Sequence, residues 1–124
     1  MSQQKVTFES LRPMLRTKDL RGTIRFYTEV LGFSCESFSE QDGWASLRRD
    51  SVELMVAAPN AHEPFDAPRF TGSFYFNVDN VAALWGAVKD RAKVGYPMED
   101  FFYGMREFAI YDNNGYMLQF GSEI

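Results

Sequence analysis

The 124-residue sequence predicts an α+β fold built from two similar halves, and two observations carry that prediction. The first is an internal repeat: Leu15-Arg16-Thr17-Lys18-Asp19-Leu20 returns as Phe76-Asn77-Val78-Asp79-Asn80-Val81, offset by 61 residues. In both copies an extended run closes on a helix-capping residue, a short amphipathic helix follows, and turn-punctuated extended segments come after. The second is strand parity. Successive side chains of a strand point to opposite faces, so four runs each show one strongly apolar face and one mixed face.

Taken in order, the run 11 to 16 places Leu11, Pro13 and Leu15 on one face and Arg12, Met14 and Arg16 on the other. Asp19 is a good N-cap, Leu20, Ile24, Tyr27 and Leu31 recur at helical spacing, and Gly32 supplies the stop, which predicts a helix over 20 to 31. In 52 to 57 the apolar face is Val52, Leu54 and Val56, against Glu53, Met55 and Ala57. Pro59, Pro64 and Pro68 make 59 to 69 a linker between a module at 9 to 58 and a second at 70 to 124. In 73 to 78, Phe74, Phe76 and Val78 oppose Ser73, Tyr75 and Asn77. Asp79 or Asn80 caps a helix whose stripe runs Val81, Leu84, Trp85, Val88 and Ala92 and ends near Gly95 and Pro97. In 116 to 120, Tyr116, Leu118 and Phe120 oppose Met117 and Gln119. Asp50-Ser51 and Asn113-Asn114-Gly115 read as turns that divide the flanking runs into hairpins. The apolar faces belong under the helices. The mixed faces, rich in Met and Tyr, have the character of a ligand pocket.

Composition narrows the function. A chain of this length is expected to form one domain, or two tightly joined half-domains, with a real core, and its aromatic share of 16% suggests a pocket or subunit interface. A net charge of −4 without a basic tract argues against nucleic acid. Met1 to Ser10 lacks the apolar stretch of a leader, and no run approaches a membrane span, so a soluble cytoplasmic protein is expected. Cys35 has no internal disulfide partner and is expected as a buried thiol, and His62 in the linker as a solvated side chain. The serines lack a positioned histidine, and glycine-rich phosphate loops and zinc-type cysteine clusters are absent.

Phe26-Tyr27-Thr28-Glu29-Val30-Leu31-Gly32-Phe33, Tyr103-Gly104-Met105-Arg106-Glu107-Phe108 and Asp112-Asn113-Asn114-Gly115-Tyr116 closely resemble the vicinal oxygen chelate superfamily. That group includes glyoxalase I, extradiol dioxygenases, fosfomycin resistance enzymes and bleomycin resistance proteins. The resemblance covers about residues 10 to 121 and implies two βαβββ modules forming a curled mixed sheet, assembled as a homodimer. In the metal-dependent members the ligands sit on the first and last strands of each module. Those positions fall on Arg12 and Glu53 in the first module and on Ser73 and Gln119 in the second.

Three of those four residues suit a divalent cation poorly. Such a cation wants imidazole or carboxylate donors, whereas Arg12 is fixed positive and Ser73 and Gln119 are weak neutral donors. We therefore expect no metal or other cofactor, and a salt bridge between Arg12 and Glu53. The implied function is sequestration of a planar or aromatic small molecule in a dimer cleft, as in the bleomycin resistance branch, known for antibiotic resistance by stoichiometric capture. Bleomycin itself is not implied. Gly43-Trp44 resembles that branch's opening of the second strand, and Trp44, Phe38, Phe101, Phe102 and Tyr103 are candidates to stack on a ring. The expected ligand-binding set is completed by Arg12, Met14, Glu53, Met55, Ser73, Tyr75, Met117, Gln119 and Arg106, the last with an equally apt role in holding its strand. The alternatives are a lyase, isomerase or dioxygenase of the same superfamily, with unusual metal ligands or with Glu53 as a general base, and a non-catalytic regulatory module.

Overall fold

Asp19 accepts a hydrogen bond from the Gly22 N–H at 3.0 Å and starts the first helix, and Asn80 accepts from the Ala83 N–H at 3.2 Å and starts the second. Around these two caps the computed structural model, which describes residues 5–62 and 64–124, builds two copies of one unit. Residues 1–4, part of the stretch read for a leader, and Glu63 of the linker lie outside the described residues. The first unit runs β1 (Met14–Arg16), α1 (Leu20–Arg25), a π-helical turn (Phe26–Val30), β2 (Ser34–Ser39), β3 (Trp44–Arg49) and β4 (Val52–Ala57). The second runs β5 (Phe74–Asn77), α2 (Val81–Val88), β6 (Lys93–Asp100), β7 (Met105–Tyr111) and β8 (Met117–Glu123).

Each unit carries its own four-stranded sheet, ordered β1-β4-β3-β2 and β5-β8-β7-β6. The first strand of each pairs parallel with the last, and the remaining pairs are antiparallel. These are the two βαβββ modules expected of an α+β chain with a repeat. Asp50, with φ of 53°, turns β3 into β4, and Gly115, with φ of 102°, lies in the turn from β7 to β8. Among the described residues no helix is long and apolar enough to cross a membrane.

Several boundaries differ from the expectation for local reasons. β1 is shorter than 11 to 16 because Pro13 has no N–H to give; its carbonyl still accepts from the Met55 N–H at 2.8 Å. Leu11, expected on the apolar face, precedes the strand and is exposed. α2 ends at Val88, short of Ala92, where the chain tightens into a turn with the Arg91 N–H on the Val88 carbonyl at 2.9 Å. Gly95 and Pro97 then lie inside β6, an edge strand whose register shifts at two places, which tolerates a residue without a ladder donor. Cys35 is exposed, contrary to the buried thiol expected, because it sits beside a bulge on β2, the outer strand of its sheet. His62 is exposed, as expected of a linker histidine.

The apolar faces do pack under the helices, and they form one core. Leu15, Tyr27, Leu31, Leu47, Leu54 and Val56 of the first module join Val81, Val88, Phe108, Ile110, Leu118 and Phe120 of the second. Polar bridges cross the same seam. The Tyr27 hydroxyl donates to Asp112 Oδ2 at 2.7 Å, from the stretch where the first helix widens to π geometry. Thr17 Oγ1 donates to Asn114 Oδ1 at 2.7 Å, and the Tyr116 hydroxyl meets both the N–H and the carbonyl of Arg16 at 3.1 Å.

Candidate functional site

Cross-strand partners share a face, so the register fixes which side chains stand together. In the first module Met14 lies opposite Met55, Met55 opposite Ser46, Glu53 opposite Arg48 and Ala57 opposite Trp44. This mixed face therefore gathers Met14, Trp44, Glu53 and Met55 with Arg48. In the second module Tyr75 lies opposite Gln119, Gln119 opposite Ala109, Ala109 opposite Tyr96, and Gly121 opposite Glu107. That face gathers Tyr75, Gln119, Tyr96 and Glu107, and alternation adds Met117. Ser73 joins it through a short hydrogen bond from its hydroxyl to Gln119 Oε1.

Glu53 is held from both sides. Arg12 Nε stands 3.6 Å from Oε2, and Arg48 pairs closely with Oε1 while also lying 3.2 Å from Glu36 Oε1. The expected Arg12 partner is present, but Arg48 is the nearer one. The Arg12 side chain is 41% exposed, so water screens this pair. Arg12→Leu is accordingly expected to lower stability by less than about 1 kcal/mol, and Arg48→Leu by more, in urea titrations of the two variants.

On the second face the hydrogen bonds form one directed chain. Ser73 gives its proton to Gln119, the Gln119 amide donates to the Tyr96 hydroxyl at 2.9 Å, and Tyr96 donates in a short bond to Glu107 Oε2. The Tyr75 hydroxyl donates to the other oxygen, Oε1, at 2.8 Å. Every donor in the chain points toward Glu107, which is buried. Loss of solvent, followed by the hydrogen bond to Glu107, pushes the Tyr96 phenol up to about 12 and the Tyr75 phenol well above its ordinary value. Tyr103 is raised as well, chiefly by loss of solvent.

Gly121 makes room for this arrangement: a Cβ there would collide with the Tyr75 hydroxyl oxygen. Gly121→Ala is expected to swing Tyr75 away, leave Glu107 short of one donor, and cost about 1–3 kcal/mol in a thermal or urea unfolding experiment.

The aromatic candidates divide. Phe101 stacks on Tyr103 with centroids 5.6 Å apart and meets Tyr96 edge to face at 5.7 Å, so these rings flank the second mixed face from the β6–β7 loop. Phe102 stands fully exposed, touching Tyr103 edge-on at 5.1 Å. Two expected ligand contacts fall on the wrong side. Phe38 lies opposite Ala45 on the helix-packed face, with the Arg21 guanidinium of α1 over its ring at 5.5 Å. Arg106 lies opposite Ser122, which caps α2, and pairs bidentately with Asp100 at 2.7 and 3.1 Å. The bulge between Cys35 and Ser37 breaks the alternation of β2 and carries Phe38 to the helix side, whereas Arg106 is the neighbour of Glu107 and must point away from it.

Sequence reasoning missed Glu107, Tyr96 and Arg48. Parity extended to β7 carries the signal for Glu107, because Met105, Glu107, Ala109 and Tyr111 alternate with Arg106, Phe108 and Ile110. Arg48 is the direct cross-strand partner of Glu53, which the hairpin turn at Asp50-Ser51 fixes.

The four positions of the metal-dependent pattern do meet in pairs, Arg12 with Glu53 and Ser73 with Gln119. Their chemistry does not fit a divalent cation. Both oxygens of Glu53 face guanidinium groups, and Ser73 and Gln119 spend their polar atoms on each other and on Tyr96. Among the described residues no three His, Cys, Asp or Glu side chains gather as a metal site. Among the described residues, cavities also open away from the second mixed face. One of about 620 Å³ lies under the linker beside Met14, Phe65, Phe70 and Tyr116, and one of about 700 Å³ lies between the β3–β4 turn and α2.

This pair of βαβββ modules with two mixed faces defines a recognised class. The sequence matches the Glyoxalase/Bleomycin resistance protein/Dioxygenase superfamily over residues 10–120, and the chain belongs to that superfamily. No curated protein matches it significantly. Among solved structures, a protein of unknown function from Agrobacterium tumefaciens str. C58 is similar at 16% identity with a TM-score of 0.78, covering 97% of this chain and 98% of that one. A bleomycin-binding protein from bleomycin-producing Streptomyces verticillus, complexed with copper(II)-bleomycin, is similar at 20% identity with a TM-score of 0.71, covering 97% and 100%. A lactoylglutathione lyase from Agrobacterium tumefaciens gives 17% and 0.71, covering 91% and 92%. At these identities the likeness speaks for the fold.

Proposed function

We propose that this protein is a metal-free binding protein that holds a planar or aromatic small molecule against its mixed faces, within a cleft completed by a second copy of the chain. The observation that carries this reading is the fate of the four family ligand positions, which are consumed by hydrogen bonds and ion pairs of their own. What they leave is an aromatic surface bearing Trp44, Tyr75, Phe101 and Tyr103. The similarity to a bleomycin-binding protein is in keeping with capture rather than conversion. Exposed apolar side chains at Leu11, Met14, Phe70, Tyr75 and Tyr103 give a second copy something to cover.

The enzymatic alternative, with Glu53 as a general base, meets a specific obstacle. Guanidinium groups sit at both of its oxygens, so a substrate proton would have to compete with two ion pairs for them.

The deciding experiment joins elemental analysis of the purified protein to a thermal-shift screen and sedimentation. Metal-free dimers stabilised by aromatic compounds support the proposal. Stoichiometric Ni, Zn, Fe or Mn with turnover that a chelator abolishes would overturn it.

A further inference from the structure

The two mixed faces carry different charge. On the first, the carboxylate of Glu53 is matched by Arg12 and Arg48. On the second, Glu107 is 2% exposed, and among the described residues no Lys, Arg or His pairs with it. Hydrogen bonds from Tyr75 and Tyr96 satisfy its oxygens without cancelling its charge. Those bonds also orient the surface. The phenol protons of Tyr75 and Tyr96 and the hydroxyl proton of Ser73 are turned inward, so the oxygens offer lone pairs outward. An anion arriving here meets a like charge and few donors. A cation meets a buried negative charge, acceptor oxygens, and the rings of Tyr75 and Tyr103, which are 40% and 51% exposed.

We propose that the second mixed face is a receptor for an organic cation, an ammonium or protonated amine carried on a ring, seated on Tyr75 and Tyr103 above Glu107. This rests on the small-molecule reading and names the ligand class. The missing Cβ of Gly121 belongs to the same device, since it lets Tyr75 lie across the sheet to reach the carboxylate. Glu107 acts through the phenols as a positioning charge.

The probes are benzyltrimethylammonium, benzyl alcohol and benzoate, titrated calorimetrically into the full chain at low and high salt. We expect the cation to bind at least ten-fold more tightly than benzyl alcohol, benzoate to bind most weakly, and added salt to reduce the preference. Glu107→Gln should erase the preference, bringing the cation to the same affinity as benzyl alcohol, and Tyr103→Ala, at a half-exposed position, should weaken the cation without unfolding the protein. Equal affinity for all three probes, or a preference that survives Glu107→Gln, overturns the inference. Benzoate binding with the cation excluded also overturns it but leaves the small-molecule reading standing, whereas binding of none of the three at millimolar concentration sinks both.

Discussion

Phe108→Ala is expected to lower stability by about 3–5 kcal/mol, the largest effect of any single truncation proposed for this chain. Phe108 is fully buried on β7, stacked on Phe120 at 5.2 Å and tilted against Trp85 of α2 at 5.0 Å. Phe120 in turn stacks on Phe76 at 4.8 Å, so the ring sits in the middle of the aromatic layer that seats α2 on its sheet. Truncation leaves a cavity whose walls are sheet backbone and other rings, which relax little. A domain of this size has only about 5–15 kcal/mol to lose, so a fall in melting temperature of about 10–20 °C should accompany the change. Phe108→Leu, which keeps most of the volume, should recover more than half of the loss.

Asp112→Ala is expected to cost about 3 kcal/mol, because one carboxylate satisfies four donors. Its Oδ1 accepts from the backbone N–H groups of Asn114, Gly115 and Tyr116 at 2.8, 2.9 and 3.0 Å, and its Oδ2 accepts from the buried Tyr27 hydroxyl at 2.7 Å. Alanine strands the Tyr27 hydroxyl and the Asn114 and Tyr116 N–H groups, in or near the core, while the Gly115 N–H keeps the backbone carbonyl at position 112, at 3.2 Å. Asp112→Asn keeps an acceptor for the backbone and should cost about 1 kcal/mol at neutral pH. Its comparison with wild type has a definite pH dependence. Burial raises the Asp112 carboxyl above its ordinary value, outweighing the hydrogen bonds from Tyr27 and the backbone that pull it down. The native state therefore holds the proton more tightly than the unfolded chain. The resulting stabilisation is fully present below the unfolded value of about 3.9 and is lost as pH rises through the higher native value. Urea midpoints measured from pH 3 to 7 should show wild type losing ground to Asp112→Asn as the pH increases.

The modular plan was legible because both of its signals are local. Asp19 and Asn80 announce helix starts at corresponding places, and alternation in 52 to 57 and 116 to 120 separates buried Leu54, Val56, Leu118 and Phe120 from half-buried Met55 and Gln119. The family positions were legible too, and the structure brings Arg12 to Glu53 and Ser73 to Gln119. What escaped is set by register and tertiary contact. A bulge on β2 exposes Cys35, and pairing with Ala45 carries Phe38 to the helix side. The second guanidinium on Glu53 comes from a neighbouring strand. Glu107 stands in the family segment without an expected role while Arg106 is expected as a ligand contact, yet adjacent residues on a strand serve opposite faces, and only the carboxylate belongs to the candidate site.

The clasp between Tyr27 and Asp112 runs one way across the repeat. The 61-residue offset that relates the halves carries Tyr27 onto Val88 and brings Ser51 to the place of Asp112. A chain with two first halves would own the phenol and lack the carboxylate; one with two second halves would own the carboxylate and lack the phenol. The duplicated units have thus diverged into lock and key, and neither can stand in for the other.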